Sequence, residues 1–284
     1  MIASMESEFR LMGVVNVTPD SFSDGGAFLE ADAAIAQGRR LVAEGADLVD
    51  VGGESTRPGA APVSADEEIE RVLPVVEAIA GDGKATVSID TSKLEVAEAA
   101  LAAGAGYVND VTAFRAAPEL AGLVAQAGVD CCLMHMRGEP RTMQVDPRYD
   151  DVVADVAAFL EERLAFAVRE GVPEERVHLD PGIGFGKTID HNLELLRRLD
   201  EIAALGRPVV VGTSRKSFLG KITGRDVTER VPATVATSVI AYLNGARIFR
   251  VHDVAATRDA LLVTAATVSG RWRPTTTASG SSTT

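Results

Sequence analysis

The sequence holds only two cysteines, adjacent at Cys131 and Cys132, and such a pair cannot form a disulfide framework. They read as two ordinary thiols on one buried strand. No apolar run approaches the ~18 residues that a membrane span needs. The first ten residues, Met1-Ile-Ala-Ser-Met-Glu-Ser-Glu-Phe-Arg10, lack the basic start and hydrophobic stretch of a secretory signal. A cytoplasmic protein with no membrane partner is the expectation. Positive charge is scarce as well: 28 Lys and Arg stand against 41 Asp and Glu, a net −13. Such a surface repels nucleic acid and anionic lipid, which are bound through basic patches, so no nucleic-acid partner is expected. An anionic ligand must instead find its positive contacts concentrated in one place. Disorder is excluded for most of the length, since 46% of the 284 residues are apolar.

What is present is one repeating pattern: a short β-branched run ending in polar residues, then a longer Ala/Leu/Glu-rich amphipathic stretch. The runs predict strands at Leu11–Val17, Leu48–Val51, Thr86–Asp90, Tyr107–Asn109, Cys131–His135, Val177–Asp180, Val209–Gly212 and Ile248–Val251. Eight helical stretches alternate with them, among them Asp66–Ala80, where Pro74 should introduce a kink, and a single helix over His191–Ala204. Eight strands alternating with eight helices predict an α/β protein, a single (β/α)8 barrel spanning residues 10–270. The runner-up is an open doubly wound sheet, but the segment after the first strand lacks the Gly-x-Gly-x-x-Gly fingerprint. Residues 1–9 read as an N-terminal extension and 271–284 as a disordered Ser/Thr-rich tail.

In a barrel of this kind the residues just after the strands line the reactive face. Here they are Asn16, Asp50, Asp90, Asn109, Asp110, His135, Asp180, Ser214-Arg-Lys216, Arg250, His252 and Asp253, with Gly-rich segments after strands one, two and six. The Gly-rich segments are expected to be mobile loops over the site. The basic residues Arg57, Lys187, Arg215, Lys216, Arg250 and His252 all fall in these post-strand segments of an acidic chain. Arg-x-His at the end of strand eight suits a phosphate or diphosphate; surface charge paired with Asp253 is the competing reading. The strand-end groups Asp90, Asn109 and Asp180 would be satisfied by a flat heterocycle edged with N–H donors, or else serve as structural caps. A metal cage is disfavoured, because no ligand spacing stands out. His178 and His191 read as structural, and His135 ends a strand without an obvious partner.

Two loops, Asn16-Val-Thr-Pro-Asp-Ser-Phe-Ser-Asp-Gly-Gly26 and Asp50-Val-Gly-Gly-Glu-Ser-Thr-Arg-Pro-Gly59, resemble the signature loops of the dihydropteroate synthase family, the sulfonamide target of folate biosynthesis. Ser88-Ile-Asp-Thr91, Asn109-Asp-Val111, Leu133-Met-His-Met136, Asp180-Pro-Gly-Ile-Gly-Phe-Gly-Lys187, Gly212-Thr-Ser-Arg-Lys216 and Arg250-Val-His-Asp253 follow in the family's order. The resemblance implies a transferase that condenses 6-hydroxymethyl-7,8-dihydropterin diphosphate with 4-aminobenzoate, using Mg²⁺, and acting as a homodimer. It implies that Asp90, Asn109, Asp180 and Lys216 hold the pterin. Asn16 would ligate Mg²⁺ on the diphosphate, and Arg250 and His252 would bind the diphosphate oxygens. Thr56 would touch substrate from the loop that also carries Arg57. Pro58, Phe185, Lys216 and Ser217 would shape the 4-aminobenzoate site, and Met134 and Gly212 complete the substrate-binding set. The resemblance makes Asn16, Thr56, Arg57, Asp90, Lys216, Arg250 and His252 the catalytic group. A pterin-binding methyltransferase of the same barrel type has no use for the clamp of Ser214-Arg-Lys216 with Arg250 and His252. A non-catalytic pterin-binding paralogue has no reason to keep Asn16, Thr56 and Arg57.

Overall fold

Parallel strands hydrogen-bond in strict sequence order and close into a barrel, the first pairing with both the second and the eighth. The structure, a computed structural model, describes residues 9–18, 26–55, 61–138 and 142–271. The strands are β1 Arg10–Asn16, β2 Leu48–Gly52, β3 Thr86–Asp90, β4 Tyr107–Asp110, β5 Asp130–Met134, β6 Val177–Asp180, β7 Val209–Val211 and β8 Ala246–Val251. The helices are α1 Gly26–Ala43, α2 Ala65–Asp82, α3 Leu94–Ala102, α4 Glu119–Ala127, α5 Val152–Arg169, α6 Ile189–Arg197, α7 Leu199–Ala203, α8 Ser217–Thr223, α9 Val231–Leu243 and α10 Val254–Ser269. This is the expected (β/α)8 barrel, and it removes the open sheet as an alternative.

The alternation of side chains along each strand positions the site. Met12, Leu48, Tyr107, Cys132, Val210 and Ile248, one from each of six strands, form a buried apolar cluster that plugs the barrel. Side chains repeat with a period of two. Two residues further along, the same inward face therefore carries Asp50 after Leu48, Asn109 after Tyr107, Met134 after Cys132 and Arg250 after Ile248. On β6, His178 joins the plug by bonding Tyr107 Oη (2.8 Å to Nδ1), which puts Asp180 on the same upper layer. The other strand face meets the helices through the main core, including Val49, Val51, Ile89, Val108, Leu133 and Leu179. Cys131 and Cys132 are both buried and unbonded to each other, one on each face of β5.

α2 continues as one helix on both sides of Pro74. A proline removes only one intrahelical bond, and the Ser64 cap and the buried Val72, Val75, Val76 and Ile79 hold both halves. The single helix expected over His191–Ala204 is two, because Arg198 leaves helical geometry (φ −110°, ψ 30°). Its guanidinium bonds Asp151, Glu194 and Glu201 at once. α8 was not foreseen, since seven residues with an internal Gly220 carry too little periodicity. Phe9, assigned by sequence to the N-terminal extension, is buried edge-on against Tyr242 and Phe249. Residues 1–8, the tail beyond Arg271 and most of the first expected mobile loop lie outside the described residues.

Candidate active site

Asp50 is the hub of the upper layer. It is fully buried and accepts from Ser88 Oγ (2.6 Å), Asn109 Nδ2 (3.2 Å) and Arg250 Nε (2.6 Å). Arg250 reaches across with a second nitrogen to Asp90 Oδ2 at 2.6 Å. Sequence reading noted Asp50 among the strand-end residues but gave it no role. It fixes the amide of Asn109, whose oxygen is left as the acceptor. Asp180 accepts from the Gly182 backbone N–H at 2.6 Å through Oδ1, and among the described residues Oδ2 takes no protein donor. Asp90, Asn109 and Asp180 are thus three hydrogen-bond acceptors in one layer.

Cations surround them. Lys216 donates to the Ile183 carbonyl, and its ammonium lies 4.7 Å from the centre of the Phe185 ring. Burial lowers its pKa to about 8, against the pull of Asp180. Burial also works against the charge of Arg250, but Asp50 and Asp90 outweigh it and hold the guanidinium protonated. His252 is anchored by Ser214, whose Oγ lies 2.9 Å from Nδ1 and 3.1 Å from the His252 backbone nitrogen. Phe185 closes an apolar wall with Met134, Val111, Met136 and Met143.

Acceptors set beside cations on the strand-end face of such a barrel have known counterparts. The model of the family described as pterin binding enzyme matches residues 12–252. Dihydropteroate synthase of Escherichia coli K12 is 46% identical over 262 residues, covering 92% of this chain and 93% of that one. Xanthomonas albilineans dihydropteroate synthase with 4-aminobenzoic acid superposes with a TM-score of 0.86 at 50% identity, covering 91% of this chain and 93% of its own. The same enzyme in complex with 7,8-dihydropteroate gives 0.83 at 47% identity over 91% and 93% of the two chains. The chain belongs to the pterin-binding enzymes, as a dihydropteroate synthase. It is therefore a transferase of folate biosynthesis.

Not every residue singled out by sequence falls at the synthase's site in the expected way. Arg215, grouped with the basic clamp, is held by Asp253 through two bonds of 2.9 and 2.5 Å, so for this residue the surface-pairing reading is right. His135, which had no obvious partner, has one in Lys187, whose Nζ lies 2.9 Å from Nδ1. His178 and His191 are structural as expected, the first in the plug and the second in the capping box of α6 with Thr188. Gly212 directly follows β7, and a Cβ there would meet Arg250 Cβ at 3.7 Å, an ordinary contact. Ser217 is the exposed first residue of α8. Asn16 ends β1 and is half-buried beside Gly52. Thr56, Arg57 and Pro58 lie outside the described residues. Val111, Met136 and Met143 were missed, although Val111 and Met136 sit inside quoted motifs; apolar walls give no chemical signature in sequence.

Asp90 carries a pH signature. Burial raises its carboxyl to about 7, against the pull of Arg250, and the charge of Asp50 adds to the rise. A folded pKa above the ordinary one means that the folded protein keeps the extra proton in between, so this group's contribution to stability falls as pH rises through that window. Its strength as an acceptor moves the other way. Affinity for a pterin lacking the diphosphate should therefore increase as pH rises through about 7. Calorimetric titration of that pterin across pH, repeated on Asp90→Asn, checks this. The variant should bind weakly at every pH, without the inflection.

Proposed function

We propose that the synthase reaction runs at this face by loss of diphosphate from the methylene of 6-hydroxymethyl-7,8-dihydropterin diphosphate, followed by attack of the 4-aminobenzoate nitrogen on the carbon left behind. The observation that carries the proposal is the partly buried cluster in which Arg250 bridges Asp50 and Asp90 beside Asn109. A pterin edge of N–H donors matches Asp90, Asn109 and Asp180, and a leaving anion matches the guanidinium. Two of the five N–H groups of Arg250 are taken by carboxylates, which leaves three for the diphosphate. His252, oriented by Ser214, adds a donor to the same oxygens. As the C–O bond breaks, positive charge spreads over the pterin. Carboxylates already fixed in place stabilise it without reorganising. The amine then approaches along Phe185 and Lys216, with Ser217 at the edge of its site; for Thr56, Arg57 and Pro58 only the family resemblance assigns a part. No enzyme nucleophile is required, and burial raises the thiols of Cys131 and Cys132 far above the range of a reactive cysteine.

Mg²⁺ fits this arrangement as an ion carried mainly by the substrate. Among the described residues no three His, Cys, Asp or Glu side chains form a cage. Asn16 supplies a single hard oxygen donor at the end of β1, which suits a cation that keeps several waters and takes phosphate oxygens as its other ligands. When bound it offsets negative charge on the diphosphate. The cytoplasmic homodimer implied by the family resemblance belongs to the same proposal. Exposed Ile240 and Leu243 on α9 and Val263 and Val268 on α10 support contact with a second copy, and light scattering on the purified chain measures its mass.

A turnover assay with both substrates and Mg²⁺ tests the proposal, and absence of dihydropteroate would overturn it. Asp180→Asn separates the two halves of the site. It should weaken binding of the bare pterin by roughly 10–150-fold, the worth of a charged hydrogen bond, and weaken diphosphate binding less. Unchanged calorimetric affinity for the pterin would remove Asp180 from its pocket.

A further inference from the structure

The segment after β6 has its carbonyl groups claimed one after another. Gly182 O accepts from Phe185 N at 3.0 Å. Ile183 O takes the Lys216 ammonium, Gly184 O the Gln144 amide at 2.6 Å, and Gly186 O the Tyr149 hydroxyl at 2.8 Å. Phe185 O takes Lys187 Nζ at 3.0 Å. The same nitrogen lies 2.9 Å from His135 Nδ1 and 3.5 Å from His135 O, so three acceptors surround it. His135 accepts as a neutral ring, since burial above all lowers its pKa to about 2, and burial also lowers the Lys187 pKa well below that of an ordinary lysine. Lys187 is only 3% exposed. The reaction as proposed makes no use of it, and methionine would fill the same volume without the cost of burying an amine.

We infer that Lys187 is a positioning residue for the amine substrate: anchored on His135, it holds the Phe185 backbone so that the ring stands against Lys216 and forms the wall of the 4-aminobenzoate subsite. This rests on the assignment of Phe185 to that subsite under the proposed function. A lysine kept only to fill the core would act on both substrates alike. A lysine that acts through Phe185 should act on one substrate, and only while the ring is there.

Steady-state kinetics of Lys187→Met, Phe185→Ala and the double variant test the inference. Lys187→Met should raise KM for 4-aminobenzoate at least about tenfold, as expected for a displaced contact, and KM for the pterin diphosphate by a smaller factor. In the Phe185→Ala background the same change should add no more than about twofold. Effects that multiply in the double variant, or equal rises in both KM values, would overturn it. If Phe185→Ala alone leaves the 4-aminobenzoate KM unchanged, the Phe185 assignment itself fails and takes the inference with it. Should Lys187→Met not fold, Lys187→Gln, which keeps an amide donor on a shorter stem, takes its place and the same readings apply.

Discussion

Arg250→Ala is expected to lose turnover and fold stability together. Among the described residues, Arg250 is the one cation bonded to both Asp50 and Asp90, at 2.6 Å each. Removing one side of a buried ion pair leaves the other uncompensated, at about 3–5 kcal/mol. Two carboxylates are stranded here, and Asp50 also sets the Asn109 amide. kcat/KM should fall by at least about 10³, roughly 4 kcal/mol of transition-state stabilisation. From sequence, Arg250 is a diphosphate ligand, and its loss should affect the bare pterin less than the diphosphate. With Asp90 bonded to it, affinity for the bare pterin must fall as well. The loss of stability should shrink as pH drops, because protonating the stranded carboxylates removes their charge. Calorimetry with the bare pterin and thermal melts across pH check both points. An unchanged pterin affinity together with an unchanged Tm would show that the bridge does not govern the pocket. Adding His252→Ala should cost less than the sum of the single changes, since both residues serve one leaving group.

Gly182→Ala should be nearly as damaging, for reasons of backbone space. Gly182 has φ +67°, and a Cβ there would stand 1.8 Å from the His135 carbonyl oxygen. That neighbour is backbone, so no rotamer change relieves the clash, and the left-handed conformation itself costs an alanine about 1–2 kcal/mol. The segment must shift, and with it the Gly182 N–H that holds Asp180. kcat/KM should drop by at least about 10², and stability by about 2–5 kcal/mol. Gly128→Ala is the control: φ is +64°, with nothing within 4 Å of the added carbon. It should cost only the conformational strain and leave kcat and both KM values alone. Equal activity losses in the two variants would show that left-handed strain, not the His135 contact, is what matters.

The barrel was legible because its cause is local. Each strand is a short β-branched run, and the end of each run is marked by a polar residue that a core would not accept. Leu48–Asp50, Tyr107–Asn109 and Ile248–Arg250 show the same step of two, from a plug residue to a site residue. The helix over His191–Ala204 was misread for the opposite reason. Arg198, where it breaks, bonds Asp151, 47 residues earlier in the chain, besides its neighbours Glu194 and Glu201.

The amino-acid sequence by itself determined the strand order, the layer on which Asp90, Asn109, Asp180 and Arg250 stand, and the family, since periodicity and motif spacing are properties of neighbours in the chain. Only the tertiary structure decided which of these residues touch. Arg250 meets Asp50 across 200 positions, Lys187 meets His135 across 52, and Arg215 takes Asp253 rather than joining the clamp. Such pairings follow from barrel closure, which brings β8 against β1 and sends side chains from distant strands into one low-dielectric layer. There each buried charge must find a partner by geometry, and a linear sequence contains no record of that search.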